Sequence, residues 1–361
     1  MINSGQLVGG RYKIEEHIGS GGMQHVYRAL DTKLDILVAL KTPQETQKDQ
    51  KFKNSAIIAA RVNHHNVAKT LDYFEDSGEA YLIEELVDGG TLEDKASLYE
   101  YFDPHMSAKV FHLLAKGVQA SHLQGVIHRD LKPSNIMVTK GVGVTGLKIT
   151  DFGIATFTEQ VFSEEARSGD MTRSTSGTVR GALPFMAPEM MFRKPNIDLT
   201  EAIDIWSIGA MMFKLMTGDF PFGVYLEAAV NVSTKNRQPW PLFMTSNPQF
   251  SALSKELQGL VDRCLEYDPS KRPTSTELVS ACQDLCYQSG DRYEGRITRT
   301  FQSGYSFFAK GGDHDVYVSK SSIYGNSRLE VDSVVLYSKY PGQPNQRAHP
   351  VVKLKDRPIE F

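Results

Sequence analysis

The sequence is poor in cysteine, has little net charge and lacks any long apolar run, and each absence excludes a class of protein. Three cysteines in 361 residues are odd in number and too few for a disulfide framework, so we interpret Cys264, Cys282 and Cys286 as reduced core thiols that hold no metal. A net charge of −3 is typical of an ordinary soluble chain. No apolar run approaches the roughly 20 residues that a membrane helix needs, and the N-terminus lacks a signal region. We therefore expect a cytoplasmic protein without a membrane partner.

The most informative feature that is present is a pair of short polar motifs. HRDLKPSN spans His128 to Asn135, and DFG follows at Asp151 to Gly153. Apolar, strand-like runs precede both motifs, as expected for anchored loops that carry chemistry. Phosphoryl transfer needs a positioned hydroxyl, neutralised phosphate charge and held magnesium ions, and Asp130, Asn135 and Asp151 are residue types that meet these needs. The two motifs together indicate a phosphoryl-transfer site.

A glycine-rich hairpin and a strand lysine stand upstream of these motifs. The segment IGSGGMQHVY runs from Ile18 to Tyr27, and its glycines allow backbone amides to approach a polyphosphate without intervening side chains. The run from Val38 to Lys41 is typical of a strand that delivers one amine. Taken alone, Lys41 is best interpreted as a solvated strand lysine. The glycine-rich loop ahead of it favours a phosphate-binding role instead.

In combination these motifs resemble those of the eukaryotic-type (Hanks-type) serine/threonine protein kinase family. The resemblance implies a bilobal kinase fold, ATP and Mg²⁺ as cofactors, and a protein substrate. It assigns Asp130, Lys132 and Lys41 to catalysis. It assigns Asn135 and Asp151 to magnesium binding. The nucleotide-binding residues that it implies are Ile18, Gly19, Ser20, Gly21, Gly22, Val26, Ala39, Lys41, Glu84, Glu85 and Val87.

The chain departs from this family at the usual partner of the strand lysine. Counting back from the segment Asn63 to Val67, Ser55 occupies the helix position that normally offers a glutamate to that lysine. A crowded ammonium without a carboxylate loses its orientation, which favours a pseudokinase. Glu84 stands at the normally apolar gatekeeper position, and we hypothesise that it reaches Lys41 from the back of the pocket. The alternative is a one-residue register error, with Glu84 as a solvent-facing strand carboxylate.

Two further departures affect the glycine-rich loop and the segment before the MAPE motif, which spans Met186 to Glu189. Gln24 stands where the third loop glycine is usual, and we treat this as a mild change. Ala182 replaces a threonine that usually orients Asp130 and Lys132. Because the catalytic and metal-binding residues are all kept, we favour an active but atypical kinase. Lys132 favours serine or threonine as the acceptor.

The remaining motifs are expected to shape the large lobe. By the same resemblance, Glu189 pairs with Arg272, and Asp204 caps backbone of the catalytic loop (residues 128–135) from a buried helix. Apolar residues at helical spacing predict a helix over 106–124 beneath that loop. The polar stretch after DFG is typical of an activation segment. Its candidate hydroxyls are Thr156, Thr158, Ser163, Ser168, Thr172, Ser174, Thr175, Ser176 and Thr178.

After Gly290 the sequence changes to short alternating runs separated by Gly, Ser and Asn, which indicates strands. The runs GRI at Gly295, GYSFF at Gly304 and DVYV at Asp315 resemble the cold-shock domain, a five-stranded barrel of the OB type. Such barrels stack aromatic rings on bases, so the resemblance implies single-stranded RNA or DNA as a partner. The alternative is that the aromatics fill a barrel core or dock on the kinase part. The implied base-stacking residues are Phe301, Tyr305, Phe307 and Tyr317.

We therefore expect an α+β chain in which a bilobal protein kinase fold is followed by a small all-β OB-type barrel. The expected function is ATP- and Mg²⁺-dependent phosphoryl transfer to serine or threonine, including autophosphorylation. Two alternatives stay open: a nucleotide-binding pseudokinase scaffold, and a nucleic-acid-binding protein for which the kinase fold is a signalling input. The expected parts are an N-terminal extension at 1–10, the kinase domain at 11–287, a linker at 288–291, the barrel at 292–356 and a tail at 357–361.

Overall fold

The described residues of the N-terminal part of the chain, the small lobe (residues 1–85), form an antiparallel sheet with one helix. Its elements are β1 (Leu7–Val8), β2 (Tyr12–Gly21), β3 (Gln24–Asp31), β4 (Ile36–Pro43), α1 (Gln50–Ala60), β5 (Thr70–Asp76) and β6 (Glu79–Glu85). The strand order is β1-β2-β3-β4-β6-β5. Along β3, the buried residues Tyr27 and Ala29 alternate with the partly exposed residues Arg28 and Leu30. This alternation builds one apolar core for the lobe.

The computed structural model describes residues 1–21, 24–44, 50–152, 181–192, 198–300, 306–310 and 315–355. The activation-segment hydroxyls predicted from the sequence lie outside these residues.

The large lobe (residues 92–283) is mainly helical and is centred on one helix that is buried on nearly every side. Its elements are α2 (Leu92–Ser97), α3 (Pro104–His122), β7 (Ile136–Val138), β8 (Leu147–Ile149), α4 (Pro188–Met191), α5 (Ala202–Thr217), α6 (Tyr225–Ser233), α7 (Phe243–Ser246), α8 (Pro248–Cys264) and α9 (Ser275–Gln283). In α5, every residue except Ala202 and Lys214 is buried. Because this helix is apolar on all sides, it forms the interior of the lobe.

The helix predicted beneath the catalytic loop is confirmed as α3, which begins and ends two residues earlier than predicted. Asp103 Oδ1 accepts the backbone N–H groups of His105 and Met106 at 3.0 and 3.2 Å. Pro104 occupies the first helical position, where no N–H is needed. The start is therefore set by this cap rather than by the first apolar residue. Gly125, just beyond the end, has a φ of +67°, which glycine adopts without strain.

The strands predicted after Gly290 are present and form a closed barrel. They are β9 (Tyr293–Thr300), β10 (Ser306–Lys310), β11 (Asp315–Ser319), β12 (Val334–Tyr340) and β13 (Arg347–Lys353). The order around the barrel is β10-β11-β13-β12-β9. Strands β11 and β13 are parallel, and the other neighbours are antiparallel. The buried apolar residues inside it include Ile297, Val316, Val318, Val335, Tyr337, Ala348 and Val351.

The barrel segment packs against the large lobe and completes its core. Four of its residues belong to the large-lobe apolar cluster, namely Tyr324, Leu336, Val352 and Leu354. A buried ion pair joins Arg292 Nη2 to Asp103 Oδ1 at 2.9 Å. The backbone N–H of Lys355 donates to the carbonyl of Leu98 at 3.0 Å. Apolar, ionic and main-chain contacts therefore all join the barrel to the lobe.

The cysteines follow the prediction only in part. Cys264 and Cys282 are buried free thiols, and burial raises the pKa of Cys282 to about 12. Cys286 is exposed, so its interpretation as a core thiol is wrong. The physical reason is that α9 ends at Gln283, before the chain reaches Cys286.

Two negative findings apply to the described residues. None of the helices there has the length and apolar character needed to cross a membrane. Within the same residues, His, Cys, Asp and Glu form no group of three or more that could hold a metal ion.

Candidate active site

The sequence motifs converge on one cleft between the small and large lobes. Its volume is about 780 Å³, within the range of small-molecule sites. Gly21 is the last residue of β2, and Gly22 lies outside the described residues. The other predicted nucleotide-binding residues line the cleft: Ile18, Gly19, Ser20, Val26, Ala39, Lys41, Glu84, Glu85 and Val87.

Asp130 is oriented by two residues that follow it in the catalytic loop. Lys132 Nζ donates to Asp130 Oδ2 at 2.8 Å. Asn135 Nδ2 donates to the same oxygen at 3.0 Å and to the Asp130 carbonyl at 2.8 Å. The bonds to one carboxylate oxygen and to the main chain fix both the side chain and the loop. The three predicted residues are therefore brought together on one wall of the cleft.

Asp204 of α5 anchors this loop from the interior, as predicted. Its Oδ2 accepts the backbone N–H of His128 and its Oδ1 that of Arg129, both at 2.8 Å. Burial disfavours the charged carboxylate, but hydrogen bonds from the His122 side chain and the His128 backbone hold the pKa of Asp204 below its ordinary value. Arg129 has a φ of +68°, a conformation that is uncommon for a residue other than glycine. The buried carboxylate compensates for that strain.

Lys41 has Glu84 as a carboxylate partner, which is the arrangement hypothesised from the sequence. Lys41 Nζ lies 2.6 Å from Glu84 Oε2, and the two side chains are 6% and 5% exposed. Glu84 is paired with Ala39 across the β4–β6 ladder, and both residues line the cleft. The alternative of a solvent-facing Glu84 is therefore wrong. Lys41 Nζ also lies 2.8 Å from Asp151 Oδ1, so the ammonium bridges two carboxylates.

The two carboxylates around Lys41 differ in acidity. Burial alone lowers the pKa of Lys41, but the charges of Asp151 and Glu84 outweigh it and raise that pKa. Burial raises the pKa of Glu84, and Lys41 offsets this only in part. Burial acts on Asp151 in the same direction, yet Lys41 and Gln24 hold its pKa below its ordinary value. Lys41 is therefore charged, and Glu84 is a weaker acid than Asp151.

Gln24 is a functional candidate that sequence reasoning passed over. Its side chain is buried, and its Nε2 donates to Asp151 Oδ1 at 2.7 Å. Gln24 lies two residues before Val26 on β3, and both residues line the cleft. Since alternate residues of a strand share a face, this orientation was available from the sequence. The sequence did not indicate that the partner of this side chain would be Asp151, 127 positions away.

The other departures and pairs lie where the motifs indicate. Ser55 is on α1 and is buried, and Ala182 is buried just before a short 3-10 turn. The predicted pair of Glu189 and Arg272 is confirmed, because Arg272 Nη1 and Nη2 donate to Oε1 and Oε2 at 2.6 and 2.9 Å. This two-point ion pair fixes α4 against the segment before α9.

The donor set of the cleft fits a magnesium-bound nucleotide. Asp151 offers carboxylate oxygens, and Asn135, whose Nδ2 is held by Asp130, offers its amide oxygen. Magnesium prefers oxygen ligands, and it is usually held by one or two protein groups together with phosphates and water. Lys41 and Lys132 add positive charge in the same cleft.

The predicted base-stacking residues are only partly described. Tyr317 lies on β11, is partly exposed, and has the guanidinium carbon of Arg347 5.1 Å from its ring centroid. Phe307 lies in β10. Phe301 and Tyr305 lie outside the described residues. The base-stacking face therefore stays a prediction.

Comparison with known proteins agrees with this geometry. The protein kinase domain model matches residues 12–282. The chain is similar to a serine/threonine-protein kinase (pkn3) of Myxococcus xanthus, with 31% identity over 77% of this chain and 50% of that protein. It is also similar to a probable serine/threonine-protein kinase of Clostridium acetobutylicum, with 31% identity over 74% of this chain and 38% of that protein. The serine/threonine-protein kinase PrkC of Bacillus subtilis is 27% identical over 81% of this chain and 43% of its own length. The chain spans half or less of the length of these relatives. It belongs to the protein kinase domain family.

Proposed function

We propose that the chain is an ATP- and Mg²⁺-dependent protein kinase that phosphorylates serine or threonine in protein substrates and in itself. The observation that carries the proposal is the ion pair between Lys41 and Glu84 at 2.6 Å. It replaces the glutamate that is absent at Ser55, beside an otherwise complete set of catalytic residues.

Five residues of the cleft have roles in this reaction. Asp130 accepts the proton of the attacking hydroxyl, and Lys132, 2.8 Å from that carboxylate, steadies the transferring phosphate. Lys41 contacts the outer phosphates of the nucleotide. Asn135 and Asp151 would hold magnesium, which when bound neutralises phosphate charge. Catalysis is then mainly positioning and electrostatic stabilisation.

The pairing of Lys41 with Glu84 changes how the lysine is oriented. Lys41 lies on β4 and Glu84 on β6, which are neighbouring strands of one sheet. The register of the two strands therefore fixes the pair without any contribution from a carboxylate on α1. A helix-borne partner would instead depend on the position of the helix. The strand-borne pair supports an active kinase over the pseudokinase alternative that Ser55 favours.

Transfer of radiolabelled phosphate from ATP tests the proposal. We expect the wild-type chain to label itself or a general acceptor protein, and Asp130→Asn to lose about 100-fold or more of the rate. Asp284→Asn, an exposed aspartate beyond α9, is the matched control and should label as the wild type does. Wild-type material that binds Mg·ATP in calorimetry but transfers no label would favour the pseudokinase scaffold.

A second candidate function concerns the barrel. We propose that it is of the OB type, like the cold-shock domain, and that it binds single-stranded RNA or DNA. The proposal is supported by the strand order, in which the third strand β11 lies parallel to the fifth, β13. It is also supported by the partly exposed Tyr317 beside Arg347.

A labelled single-stranded oligonucleotide, titrated at two salt concentrations, tests the barrel. Binding should weaken with salt, and Tyr317→Ala should lose roughly 1–3 kcal/mol of binding free energy. Tyr225→Ala, an exposed tyrosine of α6, is the control. An oligonucleotide that does not bind at low salt rejects this function and leaves the kinase proposal untouched.

A further inference from the structure

The glycine-rich loop is tied to the metal-binding aspartate by a side chain that glycine could not supply. Gln24 occupies the position of the usual third loop glycine, at the first residue of β3. Its amide Nε2 donates to Asp151 Oδ1 at 2.7 Å, and the side chain is 5% exposed. The contact joins the small lobe to the DFG segment across the cleft.

The same carboxylate oxygen has a second donor. Lys41 Nζ donates to Asp151 Oδ1 at 2.8 Å. A carboxylate oxygen has two lone-pair directions in its plane, so two N–H donors occupy both of them. The other oxygen, Oδ2, accepts the hydroxyl of Thr150 at 3.3 Å, a longer and weaker bond. Asp151 is thus largely engaged by protein donors before any cation approaches.

We propose that Gln24 is a positioning residue that holds Asp151 Oδ1 in the nucleotide-free cleft and releases it when a magnesium-bound nucleotide enters. Gln24 thereby sets how much magnesium the chain needs to bind nucleotide. This inference rests on the proposed function, because it concerns the same cleft and the same aspartate.

The physical basis is competition for one oxygen. Magnesium requires close oxygen ligands in near-octahedral geometry, and an N–H donor on the same lone pair must leave first. The Lys41 ammonium has the phosphates of the nucleotide to move to when it leaves Asp151. The Gln24 amide is neutral and gains no such partner, so its release costs a charge-assisted hydrogen bond. The release therefore subtracts from the binding free energy of the metal-bound nucleotide but not from that of the metal-free one.

Calorimetric titration of the whole chain with ADP, with magnesium and then with a chelator in its place, tests this inference. Gln24→Met keeps the length of the side chain and removes its amide, and Gln24→Ala is a second variant in case the first packs poorly. We expect both to bind Mg·ADP about tenfold more tightly than the wild type, since a hydrogen bond to a charged group is worth at least that factor. Metal-free ADP should bind the three proteins within about twofold.

Gln283→Met, the same chemical change at the exposed last residue of α9, is the matched control. Gln283 does not line the cleft, so this variant should follow the wild type in both titrations. The inference is overturned when the Gln24 variants bind Mg·ADP no more tightly than the wild type. It is also overturned when they gain equally with metal-free ADP. If the wild type and all variants bind no nucleotide, the proposed function fails as well, which separates that outcome from the other two.

Discussion

The buried pair of Lys41 and Glu84 predicts a coupling energy that can be measured without any assay of activity. The perturbation is a double-mutant cycle with Lys41→Met, Glu84→Gln and the two combined. At 2.6 Å and an effective dielectric constant of about 20, Coulomb's law gives an attraction of about 6 kcal/mol. That figure is an upper bound for the cycle, because Lys41 keeps Asp151 as a partner when Glu84 is neutral. A coupling of about 2 kcal/mol is therefore expected.

The assay is urea unfolding at neutral pH, followed by far-ultraviolet circular dichroism. Tryptophan fluorescence would report on the wrong lobe, because Trp206 and Trp240 both pack in the large-lobe core. The coupling energy is the difference between the loss of stability in the double variant and the sum of the two single losses.

An exposed ion pair of the same lobe supplies the matched control. Lys53 Nζ lies 3.6 Å from Glu75 Oε1, and the side chains are 48% and 60% exposed. Its cycle, Lys53→Met with Glu75→Gln, should give less than about 0.5 kcal/mol, as exposed pairs do. The reasoning is refuted if the buried pair couples no more strongly than this exposed one. Unchanged nucleotide affinity and turnover in Glu84→Gln would contradict the functional half of the argument.

Two further predictions concern buried carboxylates. Asp204→Asn should lower the free energy of unfolding by about 2–4 kcal/mol at pH 7, because an amide offers one acceptor to the two backbone N–H groups of the catalytic loop. The pKa of Asp204 is lowered in the folded state, so its contribution is present above the unfolded value of about 3.9 and is lost as the pH falls through the folded value. The difference in free energy of unfolding between the wild type and Asp204→Asn, measured with urea, should narrow below about pH 4. A difference that stays constant with pH would contradict the assignment. Arg292→Met should cost about 3 kcal/mol, because it leaves Asp103 buried without its cation, whereas Arg328→Met at an exposed site should be neutral in thermal unfolding.

Local spacing made much of the site predictable. Asp130, Lys132 and Asn135 lie within six positions of one another, and the loop that holds them closes on itself. The pair of Lys41 and Glu84 was also within reach, because it depends only on the register of two strands. A one-residue shift of that register would turn Glu84 toward solvent. The sequence therefore left both orientations of Glu84 open, and the structure shows the one that faces Lys41.

Contacts between distant segments could not be predicted. The bond between Gln24 and Asp151 joins the two lobes, and no local pattern in either segment specifies the other. The same applies to Tyr324, which lies between β11 and β12 of the barrel and is 1% exposed in the large-lobe core. A sequence pattern states that a residue faces an apolar partner but not which element provides it. That information comes only from the packing of the whole chain.

The packing of the barrel connects it to the catalytic loop through continuous contacts. Arg292 pairs with Asp103, which caps the start of α3; at the other end of α3, His122 bonds Asp204, which holds the catalytic loop. Such a path does not by itself transmit a signal, since a ligand shifts an equilibrium only by its differential affinity for two states. If a ligand on the barrel does alter nucleotide affinity, linkage requires that nucleotide alter the affinity of that ligand by the same factor. Any regulation of the kinase cleft by a ligand on the barrel would therefore be a reciprocal binding effect, which equilibrium titration from either side would reveal equally.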